Sequence, residues 1–224
     1  RAVYLAQDRQ DIAEATKNLS REMKEPSEAS MRDLKRLGRY LKHRPRLVAV
    51  FQAQRMPETL QSYGDSDHAG CLKTRRSTAG VGGMLGSHLL KTYSQVQSTI
   101  SLSSGESEYY AMLKASATGL ALRAMLEDWG IQLKLQVLSD SSAARGLVAR
   151  RGLGKARHIQ TRYLWLQERV TDKDLQVLTV PTRVNIADLF TKSLTEQRIL
   201  ELLALMNLEF RDGRADTAKR LIHG

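Results

Sequence analysis

Apolar residues recur every three or four positions along the first 45 residues, and this spacing predicts two amphipathic helices. The first is expected over residues 11–23, before Pro26 and Ser27 interrupt the pattern. The second is expected to begin near residues 27–30 and to end near residues 43–45. Its apolar stripe consists of Met31, Leu34, Leu37 and Leu41. The N-terminal part of the chain is therefore predicted to be a helical segment.

From residue 47 onward, short β-type runs replace the helical spacing, and helices return later in the chain. Strands are predicted over residues 47–51, 59–63, 77–93 (a hairpin around Gly86 and Ser87), 133–138 and 175–180. A turn is predicted over residues 64–67. Helices are predicted over residues 103–129, 140–149, 157–170 and from 186 onward. Antiparallel strands followed by alternating helices and strands indicate a mixed sheet flanked by helices.

The chain carries 35 Lys and Arg against 24 Asp and Glu, which gives a net charge of +11 and a pI near 9.9. This surplus favours a polyanionic partner, because neutralising phosphates releases condensed counterions. The second predicted helix concentrates basic residues on its polar face: Arg32, Lys35, Arg36, Arg39, Lys42 and Arg44. A solvated charged face is the ordinary interpretation of such a helix, and contact with a nucleic-acid backbone is the alternative.

Cys71 is the only cysteine, so neither an intrachain disulfide nor a thiolate metal cluster can form, as is usual in a reducing compartment. The longest apolar runs fall far short of the roughly 20 residues that a membrane-spanning helix needs. The N-terminus has no secretory signal pattern and does not begin with Met. We therefore expect an intracellular protein with no membrane partner. We also expect the chain to be a fragment or a processed piece of a longer protein.

Four acidic residues each have an ordinary structural interpretation: Asp65, Glu106, Asp140 and Asp188. In that order they match a turn aspartate, an acid in a capping box, a helix N-cap and an acid in the first turn of a helix. In a mixed sheet, however, strand ends and adjoining helix starts can meet at one edge. Carboxylates gathered there would repel one another unless cations neutralised them, and hard oxygen ligands favour Mg²⁺ or Mn²⁺. A pair of such ions would activate water for phosphodiester hydrolysis.

Six sequence blocks, collinear and similarly spaced, resemble the ribonuclease H domain of copia-type (Pseudoviridae) retrotransposons over about residues 60–194. The blocks are YGDSDHAG at 63–70, RRSTAG at 75–80, QSTISLSSGESEY at 97–109, LSDSSA at 138–143, RHIQTRY at 157–163 and VPTRVNIADLFTK at 180–192. Departures from the family pattern include His68 in place of Trp, and Ser141 with Ser142 in place of Asn-Gln. None of these departures removes a carboxylate.

The resemblance implies an α/β, ribonuclease H-like fold: a five-stranded mixed sheet flanked by helices, with the active site at one end of the sheet. It also implies hydrolysis of the RNA strand of RNA–DNA hybrids during reverse transcription, with two Mg²⁺ ions, or with Mn²⁺, as cofactor. The implied catalytic and metal-binding residues are Asp65, Glu106, Asp140 and Asp188. Asp67 and Glu108 are the nearest competitors and are interpreted as flanking residues.

The upstream sequence is also similar to this family. DIA at 11–13, NLSR at 18–21 and LKRLGRYLK at 34–42 resemble the segment that closes the reverse transcriptase. The polymerase motif Y-x-D-D is absent, since Ser66 separates Asp65 from Asp67. The expected domains are a helical thumb or connection remnant at 1–56, a ribonuclease H domain at 57–194 and a C-terminal helical tail at 195–224. The reverse transcriptase portion of the same polyprotein is an expected partner, in a cytoplasmic virus-like particle or the nucleus.

Recognition of an RNA–DNA hybrid is expected to be largely independent of sequence, because 2′-hydroxyls and groove shape distinguish it. The residues expected to contact it, by charge and position, are Ser66, Arg75, Arg76, Ser141, Ser142, Arg150, Arg151, Lys155 and Arg157. Two alternatives stay open. The chain is a decayed or domesticated element fragment that binds nucleic acid without cutting it, or the domain is structural and its helical arm holds a polymerase.

Overall fold

A computed structural model describes residues 1–71, 73–152 and 164–213 of the chain. The helices are α1 (Ala2–Leu5), α2 (Ala13–Arg21), α3 (Glu28–His43), α4 (Ser104–Asp128), α5 (Ser142–Ala149), α6 (Trp165–Thr171) and α7 (Glu196–Leu205). Short 3₁₀ helices lie at Gln10–Ile12, Thr182–Val184 and Ile186–Phe190. The strands are β1 (Leu47–Ala49), β2 (Thr59–Asp67), β3 (Thr78–Leu85), β4 (His88–Val96), β5 (Lys134–Ser139), β6 (Gln176–Thr179) and β7 (Leu208–Phe210).

Five of these strands form one mixed sheet in the order β4–β3–β2–β5–β6. The β2–β3 and β3–β4 pairs are antiparallel, and the β2–β5 and β5–β6 pairs are parallel. Because β2 is central and joins the two halves, its carboxyl end lies beside the carboxyl end of β5. The fold class predicted from the sequence, a five-stranded mixed sheet flanked by helices, is confirmed.

Hydrophobic clusters cover both faces of the sheet. On one face α4 and α5 pack against the sheet, and the buried side chains there include Leu60, Val81, Tyr109, Met112, Leu135 and Val137. On the other face the Ile186–Phe190 helix and α7 contribute the buried cluster, which includes Met84, Ile186, Phe190, Leu202 and Met206. Successive residues of a strand point to opposite faces, so β2, β3 and β4 contribute side chains to both clusters.

The structure differs from the sequence prediction at the end of β2. The predicted turn at 64–67 is wrong, because β2 continues through Asp67 and pairs with β3 along that stretch, with Asp65 opposite Gly80 and Asp67 opposite Thr78. The predicted hairpin is confirmed, and Gly86 occupies its turn with a positive φ of 59°. Asp65 is therefore a residue of the central strand and not of a loop.

The structure also shows where three further predicted elements lie. The strand near residues 47–51 forms, but it pairs with β7 in a separate two-stranded sheet. One final helix or a pair of helices is predicted from residue 186, and the pair is confirmed: it consists of the Ile186–Phe190 3₁₀ helix and α7, with residues 191–195 between them. The helix predicted over 157–170 falls partly outside the described residues, and α6 lies in the described part. The predicted domain limits at 56/57 and 194/195 stay a prediction.

The N-terminal helices pack directly on the sheet domain. The Lys17 ammonium on α2 donates to Thr78 Oγ1 at 2.7 Å, and Lys73 pairs with Glu22 at 2.9 Å. Within the helical segment the Arg9 guanidinium and the Asp11 carboxylate form a buried ion pair at 2.7 Å.

In the described parts of the chain, no helix is both long and apolar enough to cross a bilayer.

Gly80 sets how closely the second layer approaches the sheet. A Cβ atom at this position would lie 2.7 Å from the Ala187 carbonyl oxygen and 2.9 Å from Phe190 Cβ. These distances are shorter than van der Waals contact, so only glycine lets the Ile186–Phe190 helix lie against β3 at this separation. The same close approach brings Asp188 toward Asp65, which pairs with Gly80 in the sheet.

We expect Gly80→Ala to lower the free energy of unfolding by about 1–3 kcal/mol, because the added methyl group must push this helix off the sheet. The matched control is Gly38→Ala in α3, where an added Cβ meets nothing within 4 Å. That change is expected to leave stability unchanged or to raise it by up to about 1 kcal/mol, since alanine favours a helix interior. Urea denaturation of both variants measures the difference, and equal stability of Gly80→Ala and the unmodified protein would contradict the close-packing argument.

Candidate active site

Three carboxylates meet at the carboxyl end of the central strands. Ligand oxygens of Asp65, Glu108 and Asp140 all lie within 4.8 Å of one another. Asp65 is 1% exposed, whereas the other two side chains are partly buried. Such a group of hard oxygen donors is suited to a divalent cation such as Mg²⁺ or Mn²⁺.

The parallel pairing of β2 and β5 brings two of these acids together. Tyr63 lies opposite Leu138 in the register. Asp65 and Asp140 each come two residues later in the sequence, so they lie at equivalent positions along the two parallel strands. Asp140 follows β5 directly, and the Thr182 hydroxyl donates to its Oδ2 at 2.7 Å.

The N-cap of α5 is Ser141 and not Asp140. The Ser141 hydroxyl accepts a hydrogen bond from the Ala144 backbone N–H at 3.2 Å. An aspartate that capped this helix would have to turn its carboxylate toward the same N–H groups. Because Ser141 performs the capping, the Asp140 carboxylate is available to the group at the sheet end.

The third acid of the group is Glu108, whereas the sequence analysis selected Glu106. The Glu106 carboxylate accepts from the Leu102 backbone N–H at 2.8 Å and from the Tyr110 hydroxyl at 2.7 Å. Ser103 caps α4 by accepting from the Glu106 backbone N–H at 3.2 Å. Two residues along a helix correspond to a rotation of about 200°. The two side chains therefore occupy opposite faces of α4, and only Glu108 faces Asp65 and Asp140.

A signal in the sequence could have favoured Glu108. Ser103 and Glu106 have the Ser-x-x-Glu spacing of a capping box, which already gives Glu106 a structural role at the helix start. Glu108 has no such local role. The catalytic assignment of either residue is still a hypothesis, but the geometry brings Glu108 and not Glu106 to the other acids.

Asp188 lies next to this group, but a lysine stands between it and Asp65. The Lys192 ammonium is 2.5 Å from Asp188 Oδ1 and 3.2 Å from Asp65 Oδ1. The Arg198 guanidinium is 3.5 Å from Asp188 Oδ2, and the Thr191 hydroxyl donates to Asp65 Oδ2. Asp188 is 3% exposed. Asp188 and Asp65 are thus joined through Lys192.

The described residues around Glu108 compensate the charge of its carboxylate only weakly. Burial, together with the charges of Asp65 and Asp140, raises the pKa of the Glu108 carboxyl to about 9, against the smaller opposing effects of Lys192 and the Ser66 backbone. Among the described residues, Glu108 Oε2 is buried and has no hydrogen-bond partner. A divalent cation held by the three acids would satisfy this oxygen and stabilise the ionised form.

The pKa values around Lys192 reflect a balance of burial and pairing. Burial raises the pKa of the Asp65 carboxyl, and Lys192 and the Thr191 hydroxyl act in the opposite direction. Burial acts to lower the pKa of the Lys192 ammonium, but the two neighbouring carboxylates outweigh it, and the pKa is raised. Lys192 therefore stays protonated and acts as a permanent cation beside the acids.

The residues predicted to contact the hybrid are not all equally accessible. The Ser66 side chain is 6% exposed; its hydroxyl donates to the Asp67 carbonyl at 3.0 Å and accepts from the Gln97 amide at 3.2 Å. It is therefore held inside the protein. The exposed residues of the predicted set are Arg75, Arg76, Ser142, Arg150 and Arg151, and Ser141 is partly buried. Lys155 and Arg157 lie outside the described residues.

The exposed arginines lie at different distances from the three acids. Arg75 and Arg76 lie in the loop between β2 and β3, at the same end of the sheet as Asp65. Arg150 and Arg151 follow the C-terminus of α5, and a helix of this length places them about 12 Å along its axis from the Asp140 end. Contact of any of them with nucleic acid stays a prediction.

Comparison with known proteins gives a family context for this site. No protein-family model matches the chain. The chain is 30% identical, over 186 residues, to the retrovirus-related Pol polyprotein from transposon TNT 1-94 of Nicotiana tabacum, covering 82% of this chain and 14% of that protein. It is 31% identical, over 195 residues, to the corresponding polyprotein from transposon RE1 of Arabidopsis thaliana, covering 86% of this chain and 13% of that protein. The chain thus spans only 13–14% of the length of these relatives.

Among solved structures, the N-terminal RNase H domain of rv2228c from Mycobacterium tuberculosis is similar to this chain. The TM-score is 0.40 and the identity 13%, covering 65% of this chain and 96% of that domain. The fold is therefore identified from the strand order and the strand directions of this chain. The chain belongs to the Pol polyproteins of copia-type retrotransposons, and its five-stranded domain has the ribonuclease H-like fold.

Proposed function

We propose that this segment is a ribonuclease H that hydrolyses the RNA strand of RNA–DNA hybrids in a metal-dependent reaction. The observation that carries the proposal is the meeting of Asp65, Glu108 and Asp140 within 4.8 Å at the end of the sheet. The kinship with retrotransposon Pol polyproteins supports it, because reverse transcription produces such hybrids. Glu108 accordingly takes the role first given to Glu106.

The carboxylates at this site would hold the cation at a fixed position relative to the substrate. When bound, a hard divalent cation activates water and stabilises the negative charge that develops during phosphodiester hydrolysis. Asp65 is held in place by the Thr191 hydroxyl and Lys192, and Asp140 by the Thr182 hydroxyl. Glu108 projects from the rigid second turn of α4. The Asp65 and Asp140 carboxylates are thus oriented before substrate arrives, which favours tight and specific metal binding.

The basic residues near this end of the sheet are suited to the phosphates of a hybrid. The Arg75 backbone N–H donates to the Cys71 carbonyl at 2.7 Å, and the Cys71 N–H donates to the Arg76 carbonyl at 3.2 Å. Both arginine side chains are exposed. Contacts of this kind fix the position of the substrate without reading its sequence. We therefore assign these two arginines, ahead of Arg150 and Arg151, to the substrate backbone.

The polyprotein context extends the proposal. We infer that the helices before residue 57 are the closing part of a reverse transcriptase, and that the partner of this segment is the remainder of that enzyme. The Lys17–Thr78 and Glu22–Lys73 contacts would couple the two parts. Action inside the cell, in a virus-like particle or the nucleus, follows from a role in reverse transcription.

Substitution of two of the three acids tests the catalytic proposal. Asp65→Asn and Glu108→Gln are each expected to reduce cleavage of a labelled RNA–DNA hybrid in Mg²⁺ by more than about 100-fold, since even outer partners of metal ligands contribute about 10–100-fold. Glu106→Gln is the matched control on the same helix, and it is expected to keep activity within about 10-fold while lowering thermal stability. Loss of cleavage in Glu106→Gln with full activity in Glu108→Gln would reverse the assignment. Binding without cleavage by the unmodified protein would favour the decayed-element alternative.

The dependence of hybrid binding on salt tests the role of the basic loop. Each phosphate contact adds about 0.9 to the slope of log K against log salt on duplex DNA, so Arg75→Ala/Arg76→Ala is expected to lower the slope by about 1.8. Fluorescence anisotropy in Ca²⁺, where cleavage is suppressed, measures this slope.

Arg55→Ala/Lys134→Ala is the control for that measurement. It removes two exposed charges near the starts of β2 and β5, at the other end of the sheet, and the slope is expected to stay unchanged. An equal decrease in both double variants would mean that net charge, and not the basic loop, determines binding.

A further inference from the structure

Lys192 fills the space between Asp65 and Asp188. Its ammonium lies 3.2 Å from Asp65 Oδ1 and 2.5 Å from Asp188 Oδ1, and so contacts both carboxylates at once. Lys192 follows Asp188 by four residues, and its backbone N–H donates to the Asp188 carbonyl at 3.1 Å. A single turn of chain therefore supplies both the carboxylate and the cation that neutralises it.

A divalent ion could not share this position with the ammonium. Oxygen ligands of Mg²⁺ lie at about 2.0–2.1 Å, so an ion between Asp65 and Asp188 would occupy the volume that Lys192 Nζ now fills. It would also lie beside a positive charge in a partly buried site, where repulsion is poorly screened. The Asp65–Asp188 pair in this arrangement therefore does not fit a metal ion.

The charges around the site lead to the same conclusion. Asp65, Glu108, Asp140 and Asp188 carry four negative charges when ionised, and Lys192 and Arg198 contact them with two positive charges. Among the described residues, the remaining deficit of two charges equals the charge of one divalent ion. A second divalent ion beside Lys192 would leave these groups with two excess positive charges.

The unsatisfied oxygen lies on the other side of Asp65. Both oxygens of Asp188 have partners in Lys192 and Arg198. In the part of the chain that the structure describes, Glu108 Oε2 is the carboxylate oxygen that is buried without a partner. The capacity for a further cation is thus confined to the group of Asp65, Glu108 and Asp140.

We propose that the free protein binds one divalent ion, at Asp65, Glu108 and Asp140, and that the Lys192 ammonium takes the place of a second ion between Asp65 and Asp188. This inference rests on the proposed metal site, and it replaces the two-ion expectation drawn from the sequence. Lys192 is here a charge-compensating residue that positions Asp65 and Asp188. Asp188 serves to hold Lys192 and is not itself a metal ligand.

The stoichiometry of Mn²⁺ binding tests this proposal without any measurement of activity. Isothermal titration of the full chain with Mn²⁺, checked by the electron paramagnetic resonance signal of free Mn²⁺, is expected to give one ion per protein. Lys192→Met removes the charge and keeps most of the side-chain volume, and it is expected to give two ions. Lys192→Arg keeps the charge and is expected to give one. Lys134→Met, an exposed lysine at the other end of the sheet, controls for net charge and is also expected to give one.

Two further variants identify the ligands and do not depend on the folding of the Lys192 variants. Glu108→Gln is expected to weaken Mn²⁺ binding by about 10-fold or more, as loss of a ligand does. Asp188→Asn is expected to leave the single ion bound with an affinity within about 3-fold of the unmodified protein, which is below the effect of an outer partner.

The possible outcomes separate this inference from the proposed function. Two ions in the unmodified protein, or one ion in a Lys192→Met variant that keeps its circular dichroism spectrum, would overturn the role of Lys192 and leave the metal-dependent nuclease intact. A large loss of affinity in Asp188→Asn would overturn it equally. No Mn²⁺ binding by the unmodified protein would refute the metal site itself, and both proposals with it.

Discussion

Repulsion among carboxylates gathered at one end of a sheet is the constraint that shapes this structure. Asp65 is 1% exposed and Asp188 3% exposed, and burying charged groups is costly unless each is paired. On one side of Asp65 the protein supplies its own cations: Lys192 pairs with both Asp65 and Asp188, and Arg198 pairs with Asp188. The other side, toward Glu108, lacks such a partner among the described residues. The site therefore has a neutralised half and a half that requires an added cation.

The close packing of the two layers on the sheet makes this arrangement possible. Gly80 admits the Ile186–Phe190 helix on one face, and Gly64 admits α4 on the other, where an added Cβ would lie 3.1 Å from Ala115 Cβ. Asp65 follows Gly64 in β2. Asp188 therefore lies near Asp65 on one side, and Glu108 lies near it on the other. Since interiors are close-packed, a shift of either layer would change the distances between the acids. A substitution that disturbs the packing on β2 or β3 would therefore change both the stability of the domain and the geometry of the acidic group.

The N-terminal helices belong to the same physical unit as the sheet. Lys17 reaches Thr78 at the start of β3, near the acidic end of the sheet. Burial lowers the pKa of the Lys17 ammonium, while Glu14 and Asp67 act to raise it. A lysine placed there would be costly without those acids, so the contact ties α2 to one position on the domain. We therefore expect the helical segment and the ribonuclease H-like domain to move together.

Sequence by itself determined the order of elements, the mixed sheet and three of the acids at its end, Asp65, Asp140 and Asp188. These features follow from hydrophobic spacing and from motifs that act over a few residues. Sequence did not distinguish Glu108 from Glu106, because the choice depends on which face of α4 packs against the sheet. Nor did it reveal that Lys192 lies between Asp65 and Asp188, residues more than a hundred positions apart. Only the tertiary structure decides such contacts, since they arise where separate layers meet and leave no local pattern in the chain.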